Sequence, residues 1–381
     1  MHELYNFFHP KSVAVIGASP KEGKVGYSLI KNIISSFKGK VYAVNPNEKE
    51  VLGHITYKSV LDIKDEVSLA VIAVKANIVP TIIEECGKKN IKACIIISSG
   101  FSESGNKELE KNIISIASNY GNRILGPNSL GLIAPYSSLN ASFTRTMPMK
   151  GPIGFISQSG AFCTSAIEYS IEEKFGFSGF VSIGNKADIE DGDLIKYFSD
   201  DEKTKCIAIY MENAKNGRKF FDALKKCAKK KPIVILKSGR SEAGAKAASS
   251  HTGAIAGSDK AYDAAFKQAG VYRAKTMFEL FDSARALAYQ PPLIGEGIAI
   301  LTNAGGPGVI AADTAYELAL PLSKISDKTL KEIDKVCPPT WNRGNPLDII
   351  GDANVERYYS VLKILANAEE VHGIIVLVGP Q

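Results

Sequence analysis

From Ser12 to about Asn128 the chain repeats one pattern, a short, almost unbroken apolar run followed by a longer amphipathic one. The apolar runs are Val13-Ala14-Val15-Ile16, Val41-Tyr42-Ala43-Val44, Leu69 to Val74 and Ala93 to Ile97, with helical stretches such as Gly26 to Ser36 and Pro80 to Lys89 between them. A strand that is apolar at every position buries both faces, so the pattern predicts an α/β fold with a parallel sheet covered by helices on each side. Ligands on such a sheet bind beyond the carboxyl ends of the strands. Here those ends are Gly17-Ala18-Ser19, Asn45-Pro46, Lys75-Ala76 and Ser98-Ser99-Gly100-Phe101.

At 381 residues the chain exceeds what one core holds, and the alternation restarts twice. Leu125 to Gly131, with one proline and two glycines, reads as a rigid connection at a domain edge, and Tyr136 to Lys150 as a polar segment. A second series then runs through Ile153 to Ile156, Gly179 to Ile183, Cys206 to Met211 and Ile233 to Lys237. Gln290-Pro291-Pro292 marks a boundary, and a third series begins at Gly297 to Leu301. The expected domains are 1–130, 150–290 and 293–381. The last stops after the strand Ile374 to Val378, where a doubly wound domain would continue, so it is expected to be incomplete at its C-terminus.

Each series opens with a strand, a small-residue turn and a helix start, where free backbone N–H groups and the helix dipole favour an anion. In the first, Gly17, Ser19, Gly23, Lys24 and Gly26 form a donor-rich loop. It is not a clean G-x-G-x-x-G, and Asn45-Pro46 stands where a ribose-binding acid would follow the second strand, which disfavours a nicotinamide dehydrogenase. In the second, Ser157-Gln158-Ser159-Gly160 reads as an anion site or as a plain N-cap, and both readings stay open. Thr302 to Gly308 repeats the arrangement in the third.

The segment Ser249-Ser250-His251-Thr252-Gly253-Ala254 sets one imidazole among small residues ahead of a helical stretch from Ser258 to Gln268. The plain alternative is a loop histidine that caps that helix. Glu212 closes the strand Ile207 to Met211, so its carboxylate sits at the carboxyl edge of the second sheet, within reach of His251. Neutral imidazole is a good nucleophile toward phosphorus, and a carboxylate on its other nitrogen would fix the tautomer and stabilise the developing charge. Helix N-termini would hold the phosphoryl oxygens. The set fits phosphoryl handling better than hydride transfer.

The six cysteines are scattered, with no Cys/His cluster at zinc spacing, so no metal site is expected; Cys163 is the one thiol considered as a nucleophile, and nothing near it in sequence would lower its pKa. The net charge of +6 lies in short runs, which suits small anions rather than nucleic acid. No apolar run reaches membrane-spanning length and the first residues lack a signal peptide's pattern, so a cytoplasmic protein without membrane contact is expected.

Taken together, Val15-Ile16-Gly17-Ala18-Ser19, Gly126-Pro127-Asn128-Ser129-x-Gly131, Gly154-Phe155-Ile156-Ser157-Gln158-Ser159-Gly160, Gly184-Asn185-Lys186-Ala187-Asp188, Tyr210-Met211-Glu212 and His251-Thr252-Gly253-Ala254 resemble the alpha portion of ADP-forming acyl-CoA synthetases, the acetate–CoA ligase branch of the succinyl-CoA synthetase superfamily. The resemblance implies a Rossmann-like CoA-binding domain followed by flavodoxin-like, succinyl-CoA synthetase-like domains. It implies an acid–thiol ligase that converts acyl-CoA, phosphate and ADP reversibly to carboxylic acid, CoA and ATP through an acyl phosphate and a phosphohistidine. Carried over residue by residue, the phosphohistidine falls on His251 and its stabilising carboxylate on Glu212. Ser159, Gly160 and Gly253 become phosphate-binding candidates, and Gly17, Ser19, Asn45, Pro46, Lys75 and Asn128 CoA-contact candidates. ADP or ATP, with Mg, would be bound by an ATP-grasp module that this sequence lacks, so a beta subunit or a missing fused part, and a hetero-oligomer, are implied. A CoA-binding regulatory homologue without catalysis is the alternative, and the presence of both His251 and Glu212 argues against it.

Overall fold

The computed structural model of the chain describes residues 2–241, 243–244 and 258–380. Two compact units form, Met1–Gln290 and Pro291–Gln381. The first contains two seven-stranded sheets.

The strands of the first sheet are β1 (Ser12–Ile16), β2 (Lys40–Val44), β3 (Glu50–Val51), β4 (His54–Tyr57), β5 (Leu69–Ile72), β6 (Ala93–Ile96) and β7 (Arg123–Leu125). They lie in the order β3-β4-β2-β1-β5-β6-β7, and every pairing is parallel except β3 with β4. β1, β5 and β6 are buried at every position, as their unbroken apolar sequences require. Alternate residues serve opposite faces. Val13 and Val15 join Leu29, Ile30 and Ile33 of the helix Val25–Ser36 in one core, while Ala14 and Ile16 meet Ile83 and Cys86 of the helix Val79–Lys88 in another.

The second sheet contains β8 (Gly131–Ala134), β9 (Leu139–Ser142), β10 (Lys150–Ser157), β11 (Phe177–Ser182), β12 (Cys206–Met211), β13 (Ile233–Lys237) and β14 (Tyr272–Ala274). Their order is β14-β13-β12-β10-β11-β8-β9, parallel through β14 to β11 and closed by the antiparallel hairpin β8–β9. This hairpin corrects the sequence reading of residues 136–150 as a polar segment. Its polar residues point inward with their partners supplied: Ser142 Oγ donates to Asn140 Oδ1 at 2.6 Å, and Asn32 Nδ2 donates to the carbonyls of Ser142 and Thr144 at 2.8 and 2.7 Å. Leu139 and Ala141 of β9 join the core, but its buried Asn140 and Ser142 and its length of four residues leave too short an apolar signal to read. One core holds residues of both sheets, Val13 and Val15 from the first and Val181, Ile207 and Ile209 from the second.

In both sheets the first parallel strand of the series lies between its two successors: β1 between β2 and β5, β10 between β11 and β12. The loops leaving β1 and β10 are therefore topological switch points, where adjacent connections diverge and leave a crevice.

The unit Pro291–Gln381 holds a parallel three-stranded sheet, β15 (Ile298–Thr302), β16 (Leu347–Asp348) and β17 (Gly373–Leu377), in the order β16-β15-β17. Its core gathers Ala299, Leu301, Ile333, Trp341, Leu347, Val361 and Leu365. A helix follows β15 as expected, but it spans Gly305–Glu317, so only Asn303 and Ala304 of the expected turn separate strand from helix and Gly305 to Gly308 form the helix's first turn.

Candidate functional site

At the end of β1, Gly17 adopts φ +88° and its N–H donates to Val44 O at 2.9 Å. A Cβ there would lie 2.4 Å from Ala73 O, and one on Gly26 would lie 2.0 Å from Gly17 O, so only glycines let the turn, the next strand and the helix start come this close. Asn45 Nδ2 donates to Ala18 O at 2.7 Å and its Oδ1 accepts from Asn47 N at 2.9 Å, which ties the ends of β1 and β2 together. Ser19 Oγ accepts from Lys21 N at 3.2 Å, and Pro46 is exposed.

At the end of β10, Ser159 caps the helix Gly160–Glu172, with its Oγ accepting from Phe162 N at 3.3 Å. Ser157 is buried and locks the turn: its Oγ donates to Ser159 O at 2.8 Å and accepts from Ser159 N at 3.1 Å. A cleft of about 760 Å³ joins this turn to the first sheet. Its lining includes Lys75, Ser98, Ser99, Asn128 and Ser129 together with Gln158, Ser159, Gly160 and Thr164.

The strand β12 delivers Glu212 to the same edge, and the chain after it is held from three directions. Glu212 N–H and Asn213 N–H both donate to Gln158 Oε1, at 2.9 and 3.2 Å. Asn213 O accepts from Lys186 Nζ at 2.7 Å, and Ala214 N–H donates to Tyr262 Oη at 2.9 Å. Lys186 is buried and its ammonium is paired with buried Asp191 at 2.6 Å. Glu212 itself is only 9% exposed. Burial and the adjacent Glu212 carboxylate both push the Tyr210 phenol upward, and its ring stacks on Phe162 with centroids 4.2 Å apart. Burial pushes Lys237 below the ordinary lysine value; its ammonium donates to Ser238 O at 2.5 Å and lies 4.7 Å from the centre of the Tyr262 ring.

The two sheets meet in a polar joint beside the cleft. Asn185 N–H and Ala187 N–H donate to Pro127 O and Gly126 O at 2.9 and 3.0 Å. Asn185 Nδ2 faces Glu103 Oε2 at 2.5 Å, Glu110 Oε2 at 2.9 Å and Ser102 Oγ at 3.2 Å, and Asn128 Nδ2 donates to Asn185 Oδ1 at 3.3 Å. Burial acts to raise the Glu103 carboxyl, but the hydrogen bonds from Asn185 and the Gly100 and Phe101 amides outweigh it and hold the group below its usual range.

Three domain models match the chain: a CoA binding domain over residues 11–135, a succinyl-CoA ligase like flavodoxin domain over 150–287 and a Ligase-CoA domain over 298–379. The alpha subunit of an ADP-forming acetate–CoA ligase of Pyrococcus furiosus is 49% identical, over 98% of this chain and 82% of that protein. The chain belongs to the ADP-forming acetate–CoA ligase family. A second member, from Methanocaldococcus jannaschii, is 50% identical over 93% of this chain and 50% of its own length. The chain thus spans about half the length of the first curated relatives it matches. Among solved structures, an acetyl-coenzyme A synthetase of Ca. Korarchaeum cryptofilum, in complex with phosphate and ADP, superposes with a TM-score of 0.96 at 41% identity, over 100% of this chain and 83% of that one.

Against this family background, the structure brings Lys75 and Asn128, expected to contact CoA, into one cleft with Ser159 and Gly160, expected to bind phosphate. Gly17, Ser19, Asn45 and Pro46 gather at the carboxyl ends of β1 and β2, off the cleft lining. Glu212 reaches the cleft edge through Gln158. His251 and Gly253 lie outside the described residues. Cys163 is wholly buried and burial pushes its thiol up to about 12, which removes it as a nucleophile. Sequence reasoning did not single out Gln158, Lys186 and Tyr262 as site residues. The first two stand inside quoted motifs, but their contacts cross between strands and carry no local signal. Among the described residues no group of His, Cys, Asp and Glu could hold a metal ion, and no helix is long and apolar enough to cross a membrane.

Proposed function

We propose that this chain is the acyl-CoA and phosphate-handling portion of an ADP-forming acyl-CoA ligase. The carrying observation is the single cleft lined by Lys75 and Asn128 together with Ser159 and Gly160, since the reaction needs a thioester and a phosphate in one place. A phosphate oxygen attacks the thioester carbonyl, the C–S bond breaks, and the CoA thiolate leaves and takes up a proton. The helix start at Ser159 and Gly160 supplies N–H groups to the phosphoryl oxygens. The acyl phosphate then meets the imidazole of His251: an N–P bond forms, the P–O bond to the acyl group breaks, and the carboxylate departs. Glu212 orients the imidazole and stabilises its developing positive charge.

CoA would lie along the carboxyl edge of the first sheet, over Gly17, Ser19, Asn45, Pro46, Lys75 and Asn128. Passage of the phosphoryl group from His251 to ADP, with Mg, is assigned to an ATP-grasp partner, as a beta subunit in a hetero-oligomer or as the remainder of a fused protein. The alpha subunit in Pyrococcus furiosus, 82% of which this chain covers, supports the first arrangement, and the longer relatives the second. The compartment proposed is the cytoplasm. The domain division proposed is 1–130 for CoA, 150–290 for the phosphohistidine and 293–381 for a ligase domain.

The test is incubation with acetyl-CoA and labelled phosphate. Acid-labile, base-stable label on His251, abolished in His251→Asn with CoA affinity retained, is the expected result. CoA binding without label from any acyl-CoA donor would instead identify a non-catalytic CoA-binding protein.

A further inference from the structure

The Glu212 segment is a loop, yet its first three N–H groups and one carbonyl are all engaged by side chains of other elements. Gln158 is distinctive among these because it belongs to two structures at once. Its backbone N–H donates to Tyr210 O at 3.1 Å, inside the turn that ends in the Ser159 cap, while its side-chain oxygen takes both Glu212 N–H and Asn213 N–H. It also lines the cleft. One residue therefore sets the distance between the helix start and the strand end that presents the carboxylate.

We propose that Gln158 is a positioning residue for phosphoryl transfer, keying the Glu212 carboxylate to the phosphate held at the Ser159–Gly160 helix start; this rests on the function proposed above. An oxygen acceptor at this position is the requirement. Two successive peptide N–H groups converge on it, and without it they would be left to water or to repacking, and the Glu212 backbone would be free to shift. A shift of about 1 Å in a reacting constellation costs up to about a hundredfold in rate.

Two substitutions separate this role from others. Gln158→Met keeps the length and removes the acceptor. Gln158→Glu keeps an acceptor for both N–H groups and adds a negative charge to the cleft wall. In the complete enzyme, with its partner, labelling of His251 from acetyl-CoA and phosphate is followed against phosphate concentration. Gln158→Met is expected to lower the maximal labelling rate about tenfold or more while the half-saturating phosphate concentration stays within about twofold. Gln158→Glu is expected to do the opposite, keeping the maximal rate within about threefold and raising the phosphate requirement, because like charges repel across the site. On a Glu212→Gln background, Gln158→Met should add little, since the two act as a unit. Wild-type maximal rate in Gln158→Met, full additivity with Glu212→Gln, or equal damage from both substitutions would overturn the proposal. Absence of label in the unaltered enzyme would overturn the function beneath it, and the two failures are thus distinct.

Discussion

Glu212 is a nearly buried carboxylate at the end of a strand, with Tyr210 and Lys237 in its neighbourhood. A carboxylate in such a place is costly unless it is matched by positive charge or hydrogen bonds. In the proposed reaction it gains most when the imidazole becomes cationic, so its charge matters more than its shape. Glu212→Gln should slow phosphorylation of His251 by about tenfold or more, within the range for general acid–base and orienting groups, with CoA affinity unchanged in a direct titration. A normal labelling rate would remove Glu212 from the chemistry. At this scale the sequence was informative where a residue type is chemically rare in its setting. Glu212 at a strand end, and Ser159 and Gly160 before a helix, could be read directly. Gln158 could not, because its role depends on what lies across the sheet, and a glutamine beside serines looks like any polar turn.

Among elements, the strand–turn–helix unit opened by β1 shows how sequence and geometry lock. Gly17 and Gly26 are nine residues apart, yet a Cβ on the second would fall on the carbonyl of the first. Gly17→Ala combines a left-handed φ, worth about 1–3 kcal/mol of strain, with a clash against the Ala73 backbone. It should lower the denaturation midpoint and weaken CoA binding together; retention of both would show that the turn relaxes freely. The alternation of apolar runs made the parallel strands legible, since strands buried on both faces must be apolar throughout. The hairpin β8–β9 escaped because both strands are only four residues long and because, beside the buried Leu139 and Ala141, the interior also takes Asn140, Ser142 and Thr144, which are hydrogen-bonded to one another and to Asn32. Apolar periodicity reports burial only where burial is apolar.

For the whole molecule, the decisive feature is that two sheets of separate sequence series meet at one cleft, the first through the chain that follows β5, β6 and β7 and the second through the switch point after β10, joined by the Asn185 network and by a shared core. The sequence indicated each of these strand ends but not their meeting, which depends on the packing of sheet against sheet. The grip on residues 212–214 is of the same kind: Gln158 comes from the end of β10, Lys186 from the turn after β11, and Tyr262 from the helix Asp259–Ala269. No fluctuation confined to one of these elements can release all three. In heavy water, the amide protons of Glu212, Asn213 and Ala214 should therefore be replaced by deuterium as slowly as those of the β12 interior, although they belong to a loop. Fast exchange would mean that the grip opens locally. Slow exchange would make this short stretch, by lifetime rather than by shape, a continuation of the strand.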